Sequence, residues 1–205
     1  VSKEAAMNKV SCRDFRNAFV AVMKSESDAF RTAIGFETKS YNYFMRTNIY
    51  PKIAKHLGLL SWNKEYYGLN GMFYEERATD NFGNFRAYAK WISVAIEHEN
   101  NGAKAHETIN KLQAFNAPLK VLIAYAAEGA ETDTLLTALE KVMSGSDVFD
   151  DFSTLRQQLL ILGTPKTIRK WRFYAYESDG FVFMLPTREQ EPAALNEPDN
   201  LNNPP

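Results

Sequence analysis

Cysteine is almost missing from this chain: Cys12 is the one such residue among 205. That excludes an internal disulfide framework and a cysteine-based zinc site, and makes a reducing, cytoplasmic compartment the expectation. No apolar run approaches the roughly 20 residues that cross a bilayer, and no signal-peptide pattern precedes the first helix, so a soluble protein with no membrane partner is expected. Charge of one sign is not in excess either. The 24 Lys and Arg offset 25 Asp and Glu to a net charge of −1, so any contact with a polyanion must come from a local basic surface. The 10 glycines form no GxxxxGK[ST] or GxGxxG phosphate loop, no Ser-His-Asp arrangement has local support, and no internal repeat is visible.

Apolar material is plentiful, with 45% hydrophobic and 13% aromatic residues, enough for the core of one compact domain. After a frayed stretch at 1–10, Ser11 is a plausible N-cap. Phe15, Phe19, Val22 and Met23 then recur at helical spacing, predicting a helix that ends near Lys24. Further helices are expected over 28–34 and 40–56, the latter interrupted at Pro51 and stopped by Gly58. The Met and aromatic stripe of this helical part, 11–58, reads as core. From Glu65 the period shortens. Residues 66–77 read as a strand, the polar run 78–90 as a long connection, and 91–99 as the antiparallel partner. Asn101-Gly102 marks a turn, and 104–115 a helix with Ile109 and Leu112 on its inner face. Residues 119–125, LKVLIAY, form the continuous apolar run of a parallel strand covered on both faces. A helix over 134–143, a short helix over 149–156, a strand at 158–163 and a hairpin within 172–185, turning at Ser178-Asp179-Gly180, complete the core part, 65–186. The polar, proline-rich residues 187–205 read as a disordered tail. This order predicts a mixed α/β (α+β) fold, a mixed central sheet flanked by helices.

The segment WISVAIEHE, 91–99, carries the chemistry. Side chains alternate along a strand, so Ser93, Ala95, Glu97 and Glu99 share one face while Ile92, Val94, Ile96 and His98 share the other. Two neighbouring carboxylates on a half-buried strand need a compensating charge. A divalent cation supplies it, and oxygen-only ligands favour Mg²⁺, Mn²⁺ or Ca²⁺ over zinc. An edge strand whose acids reach into water gives the same pattern.

Helices, an antiparallel hairpin carrying acids, a helix and then a buried strand make an order that resembles the PD-(D/E)xK, or restriction-endonuclease-like, nuclease core. In that superfamily an Asp on one strand and a Glu-x-Lys on the next bind metal and activate water. Here the motif reads Glu97-His98-Glu99, similar to the Glu-x-Glu of BamHI-type type II restriction endonucleases. Ala105-His106 and, after three residues, Asn110-Lys111-Leu112 are similar to the helix that follows that motif, with a one-residue difference in length. The similarity covers residues 90–125. It implies an endonuclease that hydrolyses DNA phosphodiester bonds with Mg²⁺ or Mn²⁺, as a homodimer on a palindromic site. Glu97 and Glu99 would hold the metal, with Glu99 alternatively orienting water.

For the first acid two positions stay open. Asp80 lies 17 positions before Glu97, the separation of the BamHI-type pattern, but in a stretch read as loop. Asn70 shares a strand face with Met72 and Tyr74, and a hairpin would bring it beside Glu97. If position 70 is the true equivalent, one carboxylate is missing, and a second reading opens: a catalytically silent relative that binds nucleic acid or protein. A plain interaction protein with surface acids is a third. Among basic residues, Lys111 is either a phosphate contact or a solvated helix lysine. Lys166, Arg169, Lys170 and Arg172, interleaved with Trp171 and Tyr174, are candidates for holding a nucleic-acid backbone. His98 is expected to be buried and hydrogen-bonded, His106 with Glu107 to be a local pair, and Cys12 to be core.

Overall fold

Ser11 and Asp14 cap the first helix reciprocally. In the computed structural model, which describes residues 9–34, 38–62, 64–75, 79–80, 88–89, 92–146, 157–164, 170–177 and 180–185, the Ser11 hydroxyl accepts from the Asp14 N–H at 3.1 Å and the Asp14 carboxylate accepts from the Ser11 N–H at 3.0 Å. Helix α1 (Cys12–Ser25) then buries Phe15, Phe19 and Val22 completely, each contributing about 1.5–3 kcal/mol of transfer free energy. Val10, expected to fray, is buried. Helix α2 (Ser27–Ile34) follows.

The third predicted helix resolves into α3 (Thr38–Phe44), a π-helical turn (Met45–Ile49) and α4 (Tyr50–His56). The cause is Pro51, whose ring would press on a carbonyl one turn back. Widening the preceding turn, with the Tyr50 N–H donating to the Met45 carbonyl, relieves the clash without ending the helix. Past α4, Gly58 takes φ +68° and the Leu59 N–H donates to the Ala54 carbonyl at 2.8 Å, closing the helix with a left-handed C-terminal turn.

The strands are β1 (Leu60–Ser61), β2 (Gly71–Tyr74), β3 (Thr79–Asp80), β4 (Tyr88–Ala89), β5 (Val94–Glu99), β6 (Leu119–Tyr125), β7 (Gln157–Gly163), β8 (Trp171–Glu177) and β9 (Gly180–Phe183). Helix α5 (Ala105–Gln113) joins β5 to β6, and α6 (Ala130–Ser146) lies between β6 and β7. Seven strands form one sheet in the order β1-β2-β5-β6-β7-β8-β9. Pairs β5·β6 and β6·β7 are parallel and the others antiparallel. The fold is therefore mixed α/β, a mixed sheet between helices. The helices of residues 12–56 pack on one face against Phe73, Val94, Ile96, Val121, Ile123 and Ile161. On the other face, α5 and α6 cover Met72, Ala95, Leu122, Ala124, Leu160 and Leu162. This double cover explains why 119–125 lacks alternation.

Three expectations shift. The strand predicted over 66–77 starts later, at Gly71 of β2, because residues 66–69 close a tight turn first, and residues 76–77 lie outside the described residues. The helix predicted over 134–143 is longer, spanning α6. The connection 78–90 contains a hairpin, β3 paired with β4, forming a separate two-stranded sheet. The short helix of 149–156 and the tail of 187–205 lie outside the described residues. Among the described residues, no helix is long and apolar enough to cross a membrane.

Candidate functional site

Strand β5 presents different chemistry on its two faces, as alternation requires. Toward α5 it points Glu97, only 3% exposed. Helix α5 runs back over the strand, and its buried residues Ala105, Ile109 and Leu112 recur at i, i+4 and i+7. That register sets Thr108 and Lys111, one turn apart, above the two acids. The Lys111 ammonium donates to Glu97 Oε1 at 2.8 Å and to the Gly68 carbonyl at 2.6 Å. The Thr108 hydroxyl donates to Glu99 Oε2 at 3.0 Å, and Glu99 Oε1 accepts the Asn101 N–H at 2.8 Å.

The β2·β5 register pairs Gly71 with Ile96, so Asn70 stands one step beyond, opposite Glu97. Its side-chain carbonyl accepts the His98 N–H at 2.9 Å, and its backbone favours the ionised Glu97 carboxylate. Burial lifts the Glu97 carboxyl above its ordinary range; the Lys111 ammonium and the Asn70 backbone pull it back down, and Glu65 adds a smaller upward push. The compensator expected for buried acids was a divalent cation. In the structure a lysine of the chain itself pairs with Glu97, while its side chain keeps 42% exposure.

Behind Glu97, on the opposite face, His98 is 5% exposed. Its Nε2 lies 3.0 Å from the Tyr125 hydroxyl, which in turn lies 2.7 Å from the Tyr41 hydroxyl. Burial lowers the imidazole pKa to about 3 and raises both phenols, so His98 is neutral at physiological pH. This chain ties α3 to β5 and β6 and fixes the strand that carries Glu97. It is the buried histidine that the sequence pattern predicts.

The structure thus brings Asn70, Glu97, Glu99 and Lys111 together under α5. Asp80 lies in β3, in the separate two-stranded sheet rather than in a loop. Lys166 and Arg169 lie outside the described residues, and Lys170 is exposed just before β8. Arg172 turns inward, donating to the Thr132 hydroxyl at 2.7 Å and the Ala126 carbonyl at 2.9 Å. Trp171 packs against Phe19 and Tyr125, and Tyr174 is buried. His106 and Glu107 approach to 3.9 Å on the surface of α5. Cys12 is buried, its thiol pushed up to about 12, chiefly by desolvation. Among the described residues, no group of three or more His, Cys, Asp or Glu side chains is placed to hold a metal ion.

Sequence reasoning missed the turn that rims the site. Residues 66–69 close on themselves, with the Leu69 N–H donating to the Tyr66 carbonyl at 3.0 Å, and both central residues, Tyr67 and Gly68, have positive φ. The signal was Tyr-Gly-Leu-Asn-Gly, in which Gly68 marks a tight turn that a strand assignment overrode.

Comparison with protein-family models gives no match, and comparison with curated proteins gives none either.

Proposed function

We propose that this chain has a restriction-endonuclease-like core and acts on nucleic acid as a metal-dependent endonuclease, hydrolysing phosphodiester bonds at Glu97, Glu99 and Lys111. The observation that carries the reading is the buried Glu97 carboxylate bound to Lys111 and flanked on the same face by Glu99. A hydrophobic pair would fill that space at no desolvation cost, so an ion pair kept beneath an amphipathic helix is more readily explained by chemistry than by stability. The order α4, β1, β2, β5, α5, β6 supports the same core: a helix, antiparallel strands, a helix and a parallel strand.

The donor set fits Mg²⁺ or Mn²⁺ in kind, being oxygen only, with Glu97 and Glu99 as the residues that would hold it. When bound, such an ion polarises the scissile phosphate and lowers the pKa of water. The chain's own residues do the rest. The Lys111 ammonium stabilises charge on a phosphate oxygen, and Glu99 orients water. DNA is the substrate this reading takes, bound as a homodimer.

One observation favours a second reading. The position opposite Glu97 is Asn70, a neutral amide whose carbonyl is engaged by the His98 N–H. A site short of one carboxylate suits a catalytically silent relative that binds nucleic acid without cutting it. Incubating plasmid and single-stranded DNA with the purified protein and Mg²⁺ or Mn²⁺, alongside Glu97→Ala and a calorimetric metal titration, separates the two. Metal-dependent cutting that vanishes in a folded Glu97→Ala variant supports the nuclease. Metal binding without cutting supports the silent relative, and neither activity removes both.

A further inference from the structure

Tyr67 is the most exposed large apolar side chain among the described residues, at 82%. It is also the one non-glycine there with positive φ, at +50°. It occupies the first central position of the turn over 66–69, with Gly68 at φ +84° in the second. Asn, Asp or Gly hold that conformation cheaply, whereas a bulky aromatic is strained in it. A ring is therefore displayed into solvent at a conformational cost.

Its neighbours hold the ring in place. Tyr67 meets Tyr66 edge to face at 4.8 Å, Tyr66 meets Trp62 at 5.2 Å, and Trp62 meets Tyr74 of β2 at 5.6 Å. This ladder indexes the exposed ring to the sheet. The next residue, Gly68, offers its carbonyl to Lys111 Nζ at 2.6 Å, and the same ammonium holds Glu97. An ammonium has three donors. Two are accounted for here, and the partly exposed side chain leaves the third to a phosphate oxygen. An open π-face, and a cationic donor bonded to the residue that follows it, match the two parts of an unpaired nucleotide: base and phosphate.

We propose that Tyr67 is a stacking platform for an unpaired nucleobase, and that the nucleic acid taken at the Glu97–Lys111 site is single-stranded, or opened locally, where it crosses this turn. The inference rests on the nucleic-acid reading above and not on hydrolysis. Bases inside a duplex hide their faces, so a duplex gains nothing from the ring, whereas a single strand does so with little regard to sequence.

The test is fluorescence anisotropy with labelled oligo-dT and with a labelled duplex, in EDTA, using the full chain and the Tyr67→Ala, Tyr67→Gly and Tyr67→Trp variants. Tyr67→Gly suits the left-handed turn, which separates loss of the ring from damage to the backbone. Loss of the ring should weaken oligo-dT binding roughly 5- to 150-fold, leave duplex binding and the melting temperature unchanged, and be reversed by Tyr67→Trp. Unchanged oligo-dT affinity in Tyr67→Gly overturns the proposal, as does an equal loss on duplex and single strand. Metal-dependent cutting with Tyr67-independent binding sinks the platform and leaves the nuclease standing. Tyr67-dependent binding without cutting does the reverse.

Discussion

The Glu97–Lys111 pair is asymmetric in burial, and the two ends should respond unequally to removal. The Glu97 side chain is 5% exposed and that of Lys111 42%. Lys111→Met leaves a carboxylate beneath α5 with the Asn70 backbone as its remaining named partner. Breaking a buried pair from one side costs 3–5 kcal/mol, and water reaching the lysine end puts this case near the lower figure, about 3 kcal/mol. Glu97→Gln frees an ammonium that already reaches solvent and can keep the Gly68 carbonyl, for a loss of about 1 kcal/mol or less. The double variant removes both charges and should recover to within about 1 kcal/mol of wild type, a coupling of about 3 kcal/mol.

Acid should rescue Lys111→Met. Burial already raises the Glu97 carboxyl above the ordinary carboxylate range, and losing the ammonium removes a force that pulls it down. A carboxyl that binds its proton more tightly when folded makes stability fall as pH rises from the unfolded pKa through the folded one; above the folded pKa the whole cost is present. Urea denaturation of the four proteins at about pH 8 and about pH 5 should therefore show the Lys111→Met deficit shrinking at the lower pH. A Lys111→Met loss no larger than that of Glu97→Gln, or one that does not change with pH, refutes the picture of a buried carboxylate held charged by its lysine.

Two further outcomes follow from the same strand pair. Asn70→Asp places a second carboxylate opposite Glu97 and should raise Mg²⁺ affinity in a calorimetric titration and raise any metal-dependent nicking of plasmid; no change, with Asp80→Ala inactive, would move the first acid to position 80. Gly71→Ala sets a Cβ 2.8 Å from the fully buried Tyr50 ring and 3.3 Å from Ile96 Cβ, so thermal unfolding should report a loss of about 1–3 kcal/mol from overpacking.

Much of the architecture was legible because it follows from local rules. The Ser11 cap, the spacing of Phe15, Phe19 and Val22, the Pro51 interruption and the unbroken run 119–125 each have one physical solution, and the chain adopts it. The faces of β5 were equally readable, since alternation admits no exception without a bulge. What sequence could not supply was the partner of each charge. Lys111 and Glu97 are 14 positions apart, and their meeting depends on how α5 lies across β5. The same limit hid Lys120, a lysine inside an apolar strand, whose buried ammonium is held by the Gln113 carbonyl and side chain where α5 ends. It also hid Arg172, which looked like part of a basic face and instead ties β8 to the Ala126 and Thr132 region.

Charge counting at the site links these points to function. With Asp at position 70, the two facing carboxylates would carry −2, Lys111 would return +1, and the remaining charge would draw a cation from solution. With Asn70, Glu97 and Lys111 cancel, and Glu99, whose partners Thr108 and Asn101 are neutral, is left to carry the site's remaining negative charge. A divalent ion must then compete with the ammonium for Glu97 Oε1, while Glu99 is already engaged by Thr108 and Asn101. On the proposed reading, affinity for metal should depend on position 70 and on how far Lys111 can withdraw. Withdrawal is easiest when a phosphate draws the ammonium outward past Gly68 and frees Glu97 Oε1. On the nuclease reading proposed above, nucleic acid and metal should bind with positive cooperativity, each stabilising the site in which the other fits.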